Sequence, residues 1–416
     1  MKRKLNVALF SEMFGETNGT AEAVRRLAIG LSKAGHQVHV FAPSNGITGH
    51  EGISFHKTGG FRMSREPEFY FSLPLIKYFF NNYGFYKDLD VVHAATPMTV
   101  GALALDIAKL HGIPKIITHH SPLQYYAGSY FPVIGKAFGF YAWKYERFVY
   151  NRFHVRHVPT LSKKELILKY QLKEPIFALT NGIIDNYFLK TAGAREEVLE
   201  HYKIPLDKKI ILFCGRQGPE KNIKSVIRAL RNVREKGIDA HFISAGGGPY
   251  IPQLKAYATE LGIADHVTFT GWIKHGWQRK VYDAADVSTL YNDIEAQGLV
   301  LLEAMAQGTP CVGKNSFGIK DVIVHGKTGY LANNEQEFAN YLAKVLSDDD
   351  LQRRLGDNAL EEVTTQHKMS NVIPVWERVY EFLINVAYPE DFVHEPLSKI
   401  TDQWKEFCSK EPLLKM

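Results

Sequence analysis

The chain has 416 residues, 45% hydrophobic and 23% charged, the profile of a globular protein of two or three domains, which excludes wholesale disorder, a collagen-like repeat and a coiled coil. No apolar run reaches the roughly 18–20 residues that cross a bilayer. The net charge of +6 is uneven: residues 1–190 hold 23 Lys/Arg against 13 Asp/Glu, and residues 191–416 hold 27 against 31.

A strand is expected over 5–10; its short apolar run ends at a glutamate, so the basic start does not read as a signal peptide. An amphipathic helix follows over 20–34, then a strand over 38–42. Strands at 91–93 and 116–118 flank a helix at 98–111, and further strands fall at 155–160 and 176–180. The second half repeats the rhythm, with strands at 210–214, 241–245, 267–270, 287–290 and 311–313, each followed by a helical stretch. Strand–helix alternation with β-branched runs predicts parallel sheets covered on both faces. Repeated twice, it predicts an α/β architecture of two doubly wound Rossmann-like domains. The expected division is 1–187, 188–388, and a helical tail over 389–416 that packs back toward the first domain. Cys214, Cys311 and Cys408 form no CxxC pair and no metal-ligand spacing, which fits a reducing cytoplasm and no zinc site.

In parallel sheets, ligands sit at the carboxyl ends of the strands. Arg216 leaves the first strand of the second half, and Lys221 opens the next helix. Guanidinium and ammonium at such a turn suit a diphosphate; two surface cations are the plainer alternative. Gly246 and Gly247 lie in Ala-Gly-Gly-Gly-Pro, which lets a backbone pass close to a ligand or simply turn sharply. In Glu295-Ala-Gln-Gly-Leu-Val-Leu-Leu-Glu303, Gly298 and Leu299 open a helix whose amides favour an anion. Glu303 points back along that helix and can accept from two neighbouring hydroxyls, as on a ribose. Glu295 can hold a sugar or a charge. Gly318, Ile319 and Lys320 read as another glycine-led helix start, with Asp321 beginning the helix. Asp348, Asp349 and Asp350 read as a solvated helix start and not a metal motif.

The E-x7-E pattern, the GR…EK turn, the GGGP turn, the FGIKDVI loop and the segment Asn181-Gly182-Ile183-Ile184-Asp185 occur in one order along nearly the whole chain. Together they resemble the retaining nucleotide-sugar glycosyltransferases of family GT4. The resemblance implies the GT-B fold, in which two Rossmann-like domains face each other across a cleft. It implies that Arg216 and Lys221 bind the donor diphosphate and Glu303 the ribose. Glu295 would sit near the donor sugar, and the backbone of Gly318, Ile319 and Lys320 would cradle the sugar or diphosphate. Gly19, before Thr20 at the first helix, would approach the donor phosphates, although a helix cap explains this loop equally well. In Thr118-His119-His120-Ser121, the family's T-x-H-[ST] maps a reaction-site histidine onto His120. The catalytic set is then His120, Arg216, Lys221 and Glu295. His93 is either an acceptor-side residue or a core strand residue.

Two aromatic–basic segments, over 61–86 and 125–153, surround His120 and put Tyr125 and Tyr126 on the acceptor side. Tyr141, Lys144, Phe148 and Arg152 recur at helical spacing. Such segments suit an anionic membrane surface and resemble the lipid-using members of the family; an unusually aromatic core is the alternative.

The expected reaction moves a hexose from a UDP- or GDP-sugar to a hydroxyl, with retention and without metal or cofactor, on a lipid or glycolipid acceptor. A small soluble or polysaccharide acceptor is the nearest alternative. A nucleotide-sugar epimerase, a phosphorolytic enzyme and a non-catalytic partner subunit are the rivals. No nucleic-acid reader motif is present. The expected location is cytoplasmic, peripheral at the inner face of the membrane.

Overall fold

The computed structural model describes residues 3–15, 18–43, 52–63, 66–71, 83–120, 135–274, 276–293, 295–386 and 397–415. The chain divides into two compact units: Met1–Gly182 with Met369–Met416, and Ile183–Lys368.

The first unit runs β1 (Asn6–Phe10), α1 (Gly19–Lys33), β2 (Gln37–Ala42), β3 (Ile53–Lys57), β4 (Phe61–Met63), β5 (Glu66–Phe71), α2 (Tyr83–Tyr86), β6 (Val91–Ala94), α3 (Thr99–His111), β7 (Lys115–Thr118), α4 (Gly135–Tyr150), β8 (Val155–Val158), α5 (Leu161–Lys169) and β9 (Ile176–Ala178). Seven strands form one sheet in the order β3-β2-β1-β6-β7-β8-β9, and all its pairs are parallel. β4 and β5 make a separate antiparallel pair. Alternation along β1 shows why both faces must be covered. Val7 and Leu9 point into a cluster with α1 residues Val24, Ala28 and Leu31. Ala8 and Phe10 point the other way, into a cluster with α3 residues Val100, Leu103 and Ala104.

The second unit runs α6 (Ala194–His201), β10 (Lys209–Cys214), α7 (Ile223–Glu235), β11 (Ala240–Ala245), α8 (Ile251–Glu260), β12 (Val267–Gly271), α9 (Trp277–Asp283), β13 (Val287–Leu290), α10 (Leu299–Met305), β14 (Cys311–Lys314), β15 (Gly329–Ala332), α11 (Glu335–Leu346) and α12 (Asp349–Gln366). Its sheet has six strands in the order β12-β11-β10-β13-β14-β15, again all parallel. Asp348 caps α12 through its side chain, accepting from the Leu351 N–H at 2.9 Å.

The chain then returns to the first unit with α13 (Met369–Val386) and α14 (Leu397–Ser409). This differs from the expected division, which kept residues up to 388 in the second domain. Val372, Trp376, Val379, Tyr380 and Leu383 of α13 join the cluster under β1 and α1. Gly30 of α1 makes room for α13: a Cβ there would lie 2.5 Å from Ile373 Cδ1. Lys415 pairs antiparallel with Ala178, which covers the free edge of β9 with the end of the chain.

Candidate functional site

The candidate donor residues of the second unit gather at the carboxyl ends of β10, β11, β13 and β14. After β10, Arg216 Nη2 donates to Glu220 Oε1 at 2.5 Å. The short turn Pro219–Lys221 delivers Lys221, whose Nζ donates to Glu295 Oε2 at 2.7 Å. These residues lie 74 positions apart and meet because β10 and β13 are neighbours in the sheet. Asn292 Nδ2 and the Ala296 N–H also donate to Glu295, each at 3.3 Å. Burial works to raise the Glu295 carboxyl; the Lys221 charge and these hydrogen bonds outweigh it and hold it below the usual range.

The glycines of this region serve close backbone approaches. A Cβ on Gly246 would sit 2.0 Å from the Gly215 carbonyl oxygen, and one on Gly247 would sit 2.3 Å from Trp272 Nε1. The Gln217 N–H donates to the Gly247 carbonyl at 2.8 Å, so the two turns are stacked. Gly318 has φ 78°, and a Cβ there would lie 2.2 Å from the Glu295 carbonyl oxygen. Where a helix start was expected at 318–321, the structure has turns. The Lys320 N–H donates back to the Ser316 carbonyl at 3.0 Å, and the Ile319 side chain is buried in the core. Gly298, at φ 70°, precedes α10, whose first residue is Leu299.

Glu303 is buried in α10, and its Oε2 accepts from the Tyr282 hydroxyl at 2.6 Å and from Gln278 Nε2 at 3.2 Å. Burial, with Cys214 and Glu303 alongside, pushes the Tyr282 phenol well above its ordinary value, so it stays a donor to the carboxylate. Sequence reasoning missed Gln278 and Tyr282. Their only signal is the four-residue spacing that puts both on one side of α9.

In the first unit, Asn18 caps α1, its Oδ1 accepting from the Ala21 N–H at 2.9 Å. Gly19 is the first residue of that helix, beside Thr20, and the space where its Cβ would stand is open to 4 Å. His120 follows β7 and is buried. Together with His93, Thr118, His157, Asn181 and Trp376 it lines a small cavity. His119 faces away, its ring 4.9 Å from Tyr150. His93 sits inside β6, bonded to Tyr380 and Thr118. Tyr125 and Tyr126 lie outside the described residues, as do half of 61–86 and the start of 125–153.

Glu12, at the end of β1, is another residue that sequence reasoning missed. Its buried carboxyl accepts from the Thr96 hydroxyl and the Val100 N–H, closing the N-terminus of α3, where Met98 supplies no side-chain cap. On α4, Tyr141, Lys144, Tyr145 and Phe148 are exposed. The Arg152 guanidinium lies 3.3 Å over the Phe148 ring. Among the described residues, no helix is long and apolar enough to cross a membrane, and no group of three His, Cys, Asp or Glu side chains is placed to hold a metal ion.

Burial pushes His120 and His157 down to about 3 and His93 well below its ordinary range. In the unfolded chain such groups titrate near 6.5. Between those limits the unfolded state binds more protons, so the stability from keeping these rings neutral is full above about pH 6.5 and is lost as pH falls. Glu12, pushed up by burial, works in the opposite sense, but it is one group against three. The thermal unfolding midpoint is therefore expected to be lower at pH 5 than at pH 7.5; equal midpoints would contradict this account.

Known proteins match in the same two parts. The glycosyl transferases group 1 model matches residues 194–362, and the glycosyltransferase family 4 model matches residues 17–186. The alpha-monoglucosyldiacylglycerol synthase of Streptococcus pneumoniae is 26% identical over 405 residues, covering 93% of this chain and 87% of that protein. A GDP-mannose-dependent phosphatidylinositol monomannoside mannosyltransferase of Mycobacterium tuberculosis is 30% identical over 197 residues, 45% of this chain and 51% of its own. Among solved structures, sucrose-phosphate synthase from Thermosynechococcus elongatus superposes with a TM-score of 0.74 at 20% identity, over 92% of this chain and 100% of its own. Anabaena HepE in complex with UDP-glucose gives 0.74 at 16% identity, over 90% and 99%. At such identities the structural likeness speaks for the fold, which is GT-B. With both family models matched in chain order, one on each doubly wound half, the chain belongs to the group 1, family 4 glycosyltransferases, enzymes that transfer a sugar.

Proposed function

We propose that this enzyme moves a hexose from a UDP- or GDP-sugar to a hydroxyl of a lipid or glycolipid at an anionic membrane surface, retaining the anomeric configuration and needing neither metal nor cofactor. The observation that carries the donor half is the Lys221–Glu295 ion pair across the ends of β10 and β13, with Arg216 on the same turn after β10, paired to Glu220. Two cations beside a strand-to-helix turn can neutralise the charge that develops on a departing diphosphate, which is the task a metal ion would otherwise perform. Glu303, held by Tyr282 and Gln278, would accept from the ribose hydroxyls. Glu295 would face the sugar, its carboxylate kept ionised by Lys221. His120 would act on the acceptor side, as a neutral ring that can donate to a hydroxyl. For the acceptor, the lipid-glycosylating relatives and the exposed aromatic–basic face of α4 support a lipid.

The testing experiment is a thermal-shift panel of UDP, GDP, ADP and their common sugar conjugates without added metal, since a ligand of the native state alone must stabilise it. A rise with one base and its sugar conjugate is expected. No rise with any nucleotide, even with magnesium, would point to a non-catalytic member of the fold, and a rise only with magnesium would refute the metal-independent scheme. The membrane part makes its own prediction. The protein should sediment with anionic liposomes at low salt and be released at high salt, and Tyr141→Ser with Phe148→Ser should weaken that binding; absence of binding at either salt would remove the surface.

A further inference from the structure

Five buried groups of the first unit form one hydrogen-bonded line. Tyr380 Oη lies 2.8 Å from His93 Nδ1, and His93 Nε2 lies 2.7 Å from Thr118 Oγ1. Thr118 Oγ1 lies 2.9 Å from His157 Nδ1, and His157 Nε2 lies 2.7 Å from the Leu179 carbonyl oxygen. The chemistry of these atoms fixes every proton in the line. A carbonyl only accepts, so His157 carries its proton on Nε2. Kept neutral by burial, that ring has only a lone pair on Nδ1, so the Thr118 hydroxyl donates to it. Thr118 has then spent its one proton and must accept from His93, which therefore carries its proton on Nε2. His93 Nδ1 is left as an acceptor, and the Tyr380 hydroxyl donates to it. All four bonds point one way, and no other arrangement of neutral rings satisfies them.

Thr118 is the hub. It is the last residue of β7 and is paired in register with His157 on β8. His120 follows two residues later. Thr118, His93, His157 and His120 line the same cavity, whose wall includes Trp376. His120 itself makes no hydrogen bond among the described residues, so its place depends on the strand end that carries it. Trp376 closes the line from the α13 side, its ring centroid 5.0 Å from His93 and 4.7 Å from His157.

We propose that Thr118, held between His93 and His157 with Tyr380 completing the line, is a positioning residue that sets His120 for the acceptor. Helix α13, supplied from the far end of the chain, is then part of the acceptor-side apparatus and not only a cover for the sheet. This rests on the reading of His120 as an acceptor-side residue.

The test uses the full chain labelled with ¹⁵N-histidine, with long-range ¹H–¹⁵N spectra at neutral pH. His93 and His157 should both appear as neutral rings protonated on Nε2; an Nδ1-protonated or charged ring at either position overturns the line. Thr118→Val removes the hydroxyl at nearly constant shape. It should shift the ring signals of His93, His157 and His120. Sugar-transfer kcat should fall on the order of tenfold, with donor KM unchanged. Thr118→Ser should restore both the signals and most of the rate. A Thr118→Val protein whose His120 signal stays at the wild-type position overturns the positioning role, whatever its rate. If Thr118→Val does not fold, Tyr380→Phe removes only the terminal hydroxyl and should move the His93 and His120 signals; unmoved signals again overturn the role. Should the wild type transfer no sugar from any donor, the functional reading fails, while the ring signals still decide the line and its hold on His120.

Discussion

Lys221→Ala should lower kcat by about 10²–10³-fold, the loss typical when a preorganised charge facing a developing oxyanion is removed. The loss has two sources. The first is direct, since Lys221 is one of two cations at the turn after β10. The second runs through Glu295, whose Oε2 accepts the Lys221 ammonium at 2.7 Å. Burial alone would raise that carboxyl, and Lys221 leads the groups that hold it down. Without the ammonium, Glu295 should take up a proton at a higher pH, so the acid limb of the rate profile should move upward in the variant. Lys221→Arg, which keeps the charge but replaces a point donor with a planar fork, should recover only part of the rate. Coupling is measurable directly. If Lys221 and Glu295 act as one unit, the double variant Lys221→Ala, Glu295→Ala should lose much less than the two single losses combined. Near-normal kcat in Lys221→Ala, or strict additivity, would refute this account.

The placement of these residues was legible because they sit where the sheet puts them. Parallel strands buried on both faces are mostly apolar, β-branched runs, so Ile210–Cys214 stands out, Val287–Leu290 shows only its apolar ends around Ser288 and Thr289, and whatever follows them lies at the carboxyl edge. Arg216, Lys221 and Glu295 could be placed near one another on that rule alone. What could not be read is which partner an apolar surface meets. The stripe Val372, Trp376, Val379, Tyr380, Leu383 says that a helix is buried, but not beneath which sheet, and α13 belongs to the first unit. The glycines were ambiguous for a related reason. A glycine-rich turn reads equally as room for a ligand or room for a neighbouring loop, and Gly246 and Gly318 each face a carbonyl oxygen of another loop. Glu12 and the His93–Thr118–His157 line carry no local pattern, because each is made by side chains that meet only through the tertiary fold.

Glu303 gives the second large effect, this time on donor affinity. Its carboxylate is buried, and Tyr282 and Gln278 both donate to Oε2. A hydrogen bond to a charged group contributes about 1.5–3 kcal/mol, so removing the acceptor for a donor hydroxyl should weaken nucleotide binding by roughly 10- to 150-fold. Glu303→Ala also takes from the Tyr282 hydroxyl its carboxylate acceptor, at a stability cost of about 1–3 kcal/mol for a buried unmet group, so a lower unfolding midpoint is expected alongside. Glu303→Gln separates the two effects. Its amide oxygen can still accept from Tyr282, which should preserve most of the stability, but it offers no charge to a ribose. Calorimetric titration with the nucleoside diphosphate that stabilises the wild type should then show weakened binding to a protein that melts almost normally. Ribose recognition also predicts that the matching 2′-deoxy nucleotide loses affinity for the wild type but little further affinity for Glu303→Gln. Equal binding of ribo and deoxy nucleotides by the wild type would remove the ribose role and leave Glu303 as a buried support for α9.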